Sequence, residues 1–124
     1  MQIVELNYKD LQDGDIESCA IIFISNLCKF PNIEDFGNDC TNLRDEENQL
    51  LVEPWENDEY QAREISANEF WTSCNIISYL EKHTDICPTL IKKVICSWKE
   101  WNNSFYLVQL DNGKLYGIAW WTTA

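Results

Sequence analysis

Histidine occurs once in this chain, at His83, so any acid–base scheme built on imidazole must use that residue. The four glycines, Gly14, Gly37, Gly113 and Gly117, form neither a phosphate-cradling loop nor a dinucleotide fingerprint. His-Glu-x-x-His and Gly-x-Ser-x-Gly are both absent, which removes the commonest metalloprotease and serine-hydrolase signatures. Basic residues are few, nine against 21 acids, for a net charge of −12. Nucleic-acid binding needs clustered Lys and Arg to neutralise phosphates, and is not expected. The one concentration of lysines, Lys92, Lys93 and Lys99, is read as the outer decoration of a strand. The longest apolar run, residues 19–24, falls far short of the ~20 residues a membrane span requires. The chain opens Met-Gln-Ile-Val-Glu-Leu with no basic n-region, so no secretory signal is recognised and a cytoplasmic location is expected. In a reducing compartment Cys19, Cys28, Cys40, Cys74, Cys87 and Cys96 are expected to act as small hydrophobes, not disulfides.

What the chain does have is acid in one place. Residues 31–69 hold twelve acids, from Glu34 to Glu69, opposed only by Arg44 and Arg63, which leaves −10. Residues 1–30 contribute −3 and residues 70–124 contribute +1. A field of one sign on part of a small domain attracts a basic partner and repels nucleic acid and anionic membrane. At 124 residues and 45% hydrophobic content, the chain suits one domain with a real core, and its six tryptophans each offer large apolar area.

Periodicity predicts an α+β domain. Residues 2–8 read as a strand closed by Asp13-Gly14-Asp15. Ile16, Cys19, Ala20, Phe23, Leu27 and Phe30 recur at helical spacing, which predicts a helix over about 16–29 before Pro31. The β-branched Ile21, Ile22 and Ile24 make a strand the competing assignment. Residues 31–65 read as an acidic, loop-rich segment with at most one helical turn, and Leu50-Leu51-Val52 as a short strand. Ser66 and Glu69 have capping-box spacing, and Phe70, Cys74, Ile77 and Leu80 extend a helix over about 67–83. Alternation over about 92–122, with a type I′ turn signal at Asn112-Gly113, predicts a three-stranded antiparallel meander packed with the two helices and the N-terminal strand. In the first of those strands, Val94, Cys96 and Trp98 alternate with Ile95, Ser97 and Lys99.

Chemistry-bearing sets are thin. Cys74 or Cys87 as nucleophile, His83 as base and Asp85 as orienter make a small Cys/His enzyme the alternative function, while His83 reads first as a helix-end residue facing the C-terminal carbonyls. Cys74, His83, Cys87 and Cys96 are zinc-type ligands without a Cys-x-x-Cys knuckle, and Asp10, Asp13, Asp15 and Glu17 miss the EF-hand register. The paired acids of 45–59 lack the fixed cleft that glycoside chemistry needs. The expectation is a protein without catalytic, metal or cofactor residues.

The remaining constellation is acidic charge with interleaved aromatics: Phe36, Trp55 and Tyr60 among Glu46, Glu47, Glu53, Glu56, Asp58 and Glu59. Interfaces favour an aromatic anchor within a polar rim, which suits Trp55 beside Glu53 and Glu56. The alternative, Trp55 covering the core beneath a solvated acidic face, stays open. A structural or adaptor domain whose exposed Trp120-Trp121 edge mediates homodimerisation is a third possibility.

The acidic 34–69 block, the Ser66–Glu69 helix start and the ending Ile118-Ala119-Trp120-Trp121 together resemble the immunity proteins of bacterial polymorphic toxins, such as those of contact-dependent growth inhibition systems. Acidic phage-encoded inhibitors, such as anti-CRISPR proteins, share these outward features. The resemblance implies a cytoplasmic protein that binds one cognate toxin, often a basic nuclease, and occludes its active site; a monomer or weak dimer is expected. It implies no enzyme activity and assigns no residue by position.

Overall fold

The computed structural model describes residues 1–12, 16–54 and 61–123. Its central element is a six-stranded antiparallel sheet in the order β1-β2-β6-β5-β4-β3. The strands are β1 (Gln2–Leu6), β2 (Ser18–Asn26), β3 (Arg63–Ile65), β4 (Ile91–Lys99), β5 (Asn103–Leu110) and β6 (Lys114–Thr122). Among the described residues four helices accompany them: α1 (Tyr8–Leu11), α2 (Ile33–Asn42), α3 (Ala67–Ser73) and α4 (Ile77–His83). The class is α+β, but a three-stranded meander packed with two helices is not the architecture.

The expected helix over 16–29 is β2. This strand lies between β1 and β6, pairing Val4 with Ile22 on one side and Ile22 with Ile118 on the other. Both of its faces are covered: Ala20 and Ile22 join one core cluster, Ile21 and Phe23 the other. A strand buried on both faces is apolar throughout and loses its period of two, so it imitates a helical pattern. The β-branched residues were the true signal.

Residues 31–65 are not all loop. Asn32 caps α2 by accepting from the Asp35 amide at 2.8 Å, and Ile33, Phe36, Gly37 and Cys40 turn toward the sheet. Leu50-Leu51-Val52 forms no strand; residues 44 and 50 make a single antiparallel bridge. The continuous helix over 67–83 is two helices. Thr72 and Ser73 turn their hydroxyls back to the carbonyls of Asn68 and Glu69, which loosens the turn, and Cys74 takes an extended conformation. The break buries both Cys74 and Ile76. Ser66 caps α3 through the Glu69 amide at 3.0 Å, while the Glu69 carboxylate pairs with Arg63 at 3.4 Å. The β5–β6 turn has a single positive φ, +88° at Gly113, and so is a three-residue turn and not type I′.

The result is layered. α1, α3 and α4 cover one face of the sheet with Leu11, Phe70, Ile76 and Leu80. α2 and the segment 43–53 cover the other with Ile33, Phe36, Cys40 and Val52. Among the described residues no helix is long and apolar enough to cross a membrane.

A candidate protein interface

The apolar side of α2 faces the sheet, so Glu34, Asp35 and Asp39 point away from it and are exposed. After α2 the chain doubles back. Asp45 accepts from the amides of Glu47 (2.9 Å) and Gln49 (3.0 Å), and Asn48 adopts φ +64° to close the turn. This holds Glu46 and Glu47 outward at the loop tip; Glu53 follows, exposed, just past the buried Val52. Residues 31–54 therefore place seven acids and one base, Arg44, over one face of the sheet. Arg44 donates to the Asn48 carbonyl at 2.7 Å, and the described ion pairs reach only one acid of this layer. That acid is Glu34, paired with Lys93 of β4 at 3.1 Å, with Glu64 at 3.7 Å on the other side of the ammonium. A hydrogen bond from its own backbone amide, then Lys93, hold the Glu34 carboxyl below its ordinary value; Glu34 in turn raises the Lys93 ammonium.

Two concavities border this layer and share Leu50, Leu51 and Trp121. The first, a groove of about 520 Å³, has Leu6 and Ile21 in its floor and Glu5, Asp10 and Asp45 around it. The second, a cavity of about 150 Å³, is lined by Val52, Glu53, Trp98, Asn103 and Ala119 as well. Trp98 reaches it through a register shift in the β4–β5 pairing between Cys96 and Trp98. The extra residue turns Trp98 onto the α2 side, against Phe105, and not onto the face of Val94 and Cys96 that simple alternation gives.

Several polar atoms here are buried and find no partner among the described residues: Trp98 Nε1, Trp120 Nε1, Asn103 Oδ1 and Glu100 Oε1. Asn103 is 3% exposed, and its Nδ2 donates to Glu100 Oε2 (3.0 Å) and Asn102 Oδ1 (2.9 Å). Those two acceptors fix the amide, because the reverse orientation would set oxygen against oxygen. At the tip of the same β4–β5 hairpin, Trp101 is 73% exposed, the one exposed tryptophan among the described residues.

Of the sequence candidates, Glu46, Glu47 and Glu53 lie on this acidic layer. Trp55, Glu56, Asp58, Glu59 and Tyr60 lie outside the described residues. Trp121 was considered only as part of a Trp120-Trp121 dimerisation edge; Trp98, Asn103 and Trp101 were not singled out as site residues. Their only sequence signal is a cluster of tryptophan and asparagine around the β4–β5 turn.

The cysteine and histidine candidates are dispersed. His83 is exposed at the end of α4 and stacks on Tyr79, ring centroids 4.4 Å apart. Neither concavity that includes His83 is lined by Cys74 or Cys87. Burial pushes the Cys74 thiol up to about 12, so it is protonated at neutral pH, whereas the Thr89 hydroxyl lowers the Cys87 thiol. Asp85 accepts from the Tyr116 hydroxyl and pairs with Lys114 at 3.2 Å. Burial raises its carboxyl, but these two donors outweigh burial and leave it below the ordinary range. Among the described residues, no group of three or more His, Cys, Asp or Glu could hold a metal ion. Comparison with protein-family models, curated sequences and solved structures returns no match for this chain.

Proposed function

We propose that this chain is a cytoplasmic binding protein, of the immunity or inhibitor type, that engages and neutralises a basic protein such as a nuclease toxin. The observation that carries this function is the acidic layer: seven acids of residues 31–54 on one sheet face, where Arg44 is the only base of that segment and Lys93 of β4 pairs with Glu34 alone among the seven. Charge arranged this way steers a basic partner over the ~8 Å screening length of physiological salt. Trp101, exposed at the adjoining hairpin tip, has the character of an interface anchor.

The test is association kinetics with a basic protein that co-purifies with the chain at low salt. Glu46→Lys, Glu47→Lys and Glu53→Lys together are expected to slow association by about tenfold and to flatten its salt dependence. Trp101→Ala is expected to speed dissociation. Unchanged affinity in the triple charge reversal, or a recovered partner of acidic character, overturns the function.

A further inference from the structure

We infer that the cavity between Trp98, Asn103, Trp121 and Glu53 receives an arginine side chain of the protein partner. The inference rests on the acidic-layer function and names the residue that the layer would capture. Four features of the cavity agree on this occupant.

The first is hydrogen bonding. Buried acceptors without partners cost about 1–3 kcal/mol each, so a ligand that satisfies them recovers that free energy. Asn103 Oδ1 is such an acceptor in the cavity lining, and the Glu100 carboxylate stands directly behind it, bonded to the same amide. A guanidinium carries five N–H donors in a planar fork and no acceptor. The second feature is charge. Among the described residues, Glu53 is the only charged one in the lining. The nearest lysine along the strand, Lys99, is turned away to the Ser73 carbonyl at 3.0 Å. A cation entering here meets no like charge among the described residues of the lining.

The third feature is the aromatic wall. Trp98 and Trp121 both line the cavity, and tryptophan is the strongest cation–π partner, with arginine the commonest cation. The fourth is size. About 150 Å³ holds roughly five waters at ~30 Å³ each, enough for a guanidinium and part of its stem but not for a folded segment. Two further orphans on lining residues are donors, Trp98 Nε1 and Trp120 Nε1, and a donor there suits the main-chain carbonyl that a peptide-borne arginine brings with it and a free cation lacks.

The experiment titrates the full-length chain with acetyl-Gly-Arg-Gly-amide and with its citrulline counterpart, which has the same shape and no charge. The readout is the indole N–H resonance of Trp98, assigned by its loss in Trp98→Phe. The arginine peptide is expected to shift that resonance with a Kd in the millimolar range, and the citrulline peptide to bind at least about tenfold more weakly. Glu53→Gln, an exposed change that leaves the fold intact, is expected to weaken the arginine peptide about fivefold. Asn103→Ala should abolish binding, but it also strips Glu100 of its partner, so Glu53→Gln carries the mutational test. No shift of the Trp98 resonance, or equal binding of the two peptides, overturns the inference. If the peptide fails while charge reversal at Glu46 and Glu47 still slows the whole partner, the cavity is wrong and the acidic layer stands. If the peptide binds while charge reversal has no effect, the cavity stands and the steering layer does not.

Discussion

Trp98 packs on Phe105 with ring centroids 5.2 Å apart and planes tilted by 36°, on the opposite face of the sheet from Cys96. The register shift between Cys96 and Trp98 produces this relationship and opens one wall of the cavity. Trp98→Ala removes the wall and is expected to cost roughly 2–3 kcal/mol, below the ~3–5 of a fully buried aromatic because Trp98 is only partly covered. Trp98→Phe keeps the stacking and deletes an unpartnered N–H, so its cost should stay below about 1 kcal/mol. Urea denaturation of the two variants checks the pair; equal losses would mean that the indole N–H has a partner.

Gly37 of α2 lies directly on Leu107 of β5. A Cβ at Gly37 would overlap Leu107 Cδ1, and Leu107 is itself buried. Gly37→Ala gains about 1 kcal/mol of helix propensity but meets an overpacking cost of roughly 1–3 kcal/mol. A net loss of about 1 kcal/mol is expected in urea denaturation. A stabilised variant would show that α2 is not seated this closely.

The Asp85 carboxylate accepts from Tyr116 and Lys114 and has a depressed pKa. A depressed carboxyl stabilises the fold at pH above its unfolded value near 4. That stabilisation is lost as pH falls through the lower folded value. Asp85→Asn should therefore cost about 1 kcal/mol at pH 7, a charged hydrogen bond discounted for the exposure of the pair. The gap from wild type should narrow in acid. Thermal melts of both proteins from pH 7 to pH 3 test this, and a gap that widens in acid contradicts it.

The cysteines should separate by reactivity. Cys28 is exposed and Cys87 has a lowered thiol, whereas burial raises the thiols of Cys40 and Cys74 to about 12 and also raises that of Cys96. At pH 8, Cys28 and Cys87 are expected to react with a disulfide reagent well before Cys40, Cys74 and Cys96, which should wait for unfolding. Mass spectrometry of the labelled peptides gives the order. Early labelling of Cys40 would contradict its place between α2 and the sheet.

Parts of the fold were legible for definite reasons. Ser66 and Glu69 announced a helix start because capping is a contact over three residues. Asn112-Gly113 announced a turn, although only Gly113 adopts the positive φ. β2 was misread because its partners lie far away: its Ile21 pairs with Glu5 and with Ala119. α2 was missed because a glycine and a cysteine complete its buried side, so few large apolar residues mark it. The acidic residues of the site were plain in the sequence. Its tryptophans were visible as a count, but not as the walls of a cavity.

By itself the sequence determined the −10 of residues 31–69, the cap at Ser66 and the turn at Gly113. Charge, capping and turn geometry belong to a few neighbouring residues, so no distant partner is needed to specify them. Only the tertiary structure decided that the described acids of residues 31–54 share one face and that Trp98 and Trp121 meet beside Asn103. Trp121 pairs with Cys19 on one side and Asn103 on the other, and Trp98 turns by a register shift against β5. A residue's facing in a sheet is set by strands that pair across the whole chain, and a shift of one residue reverses it.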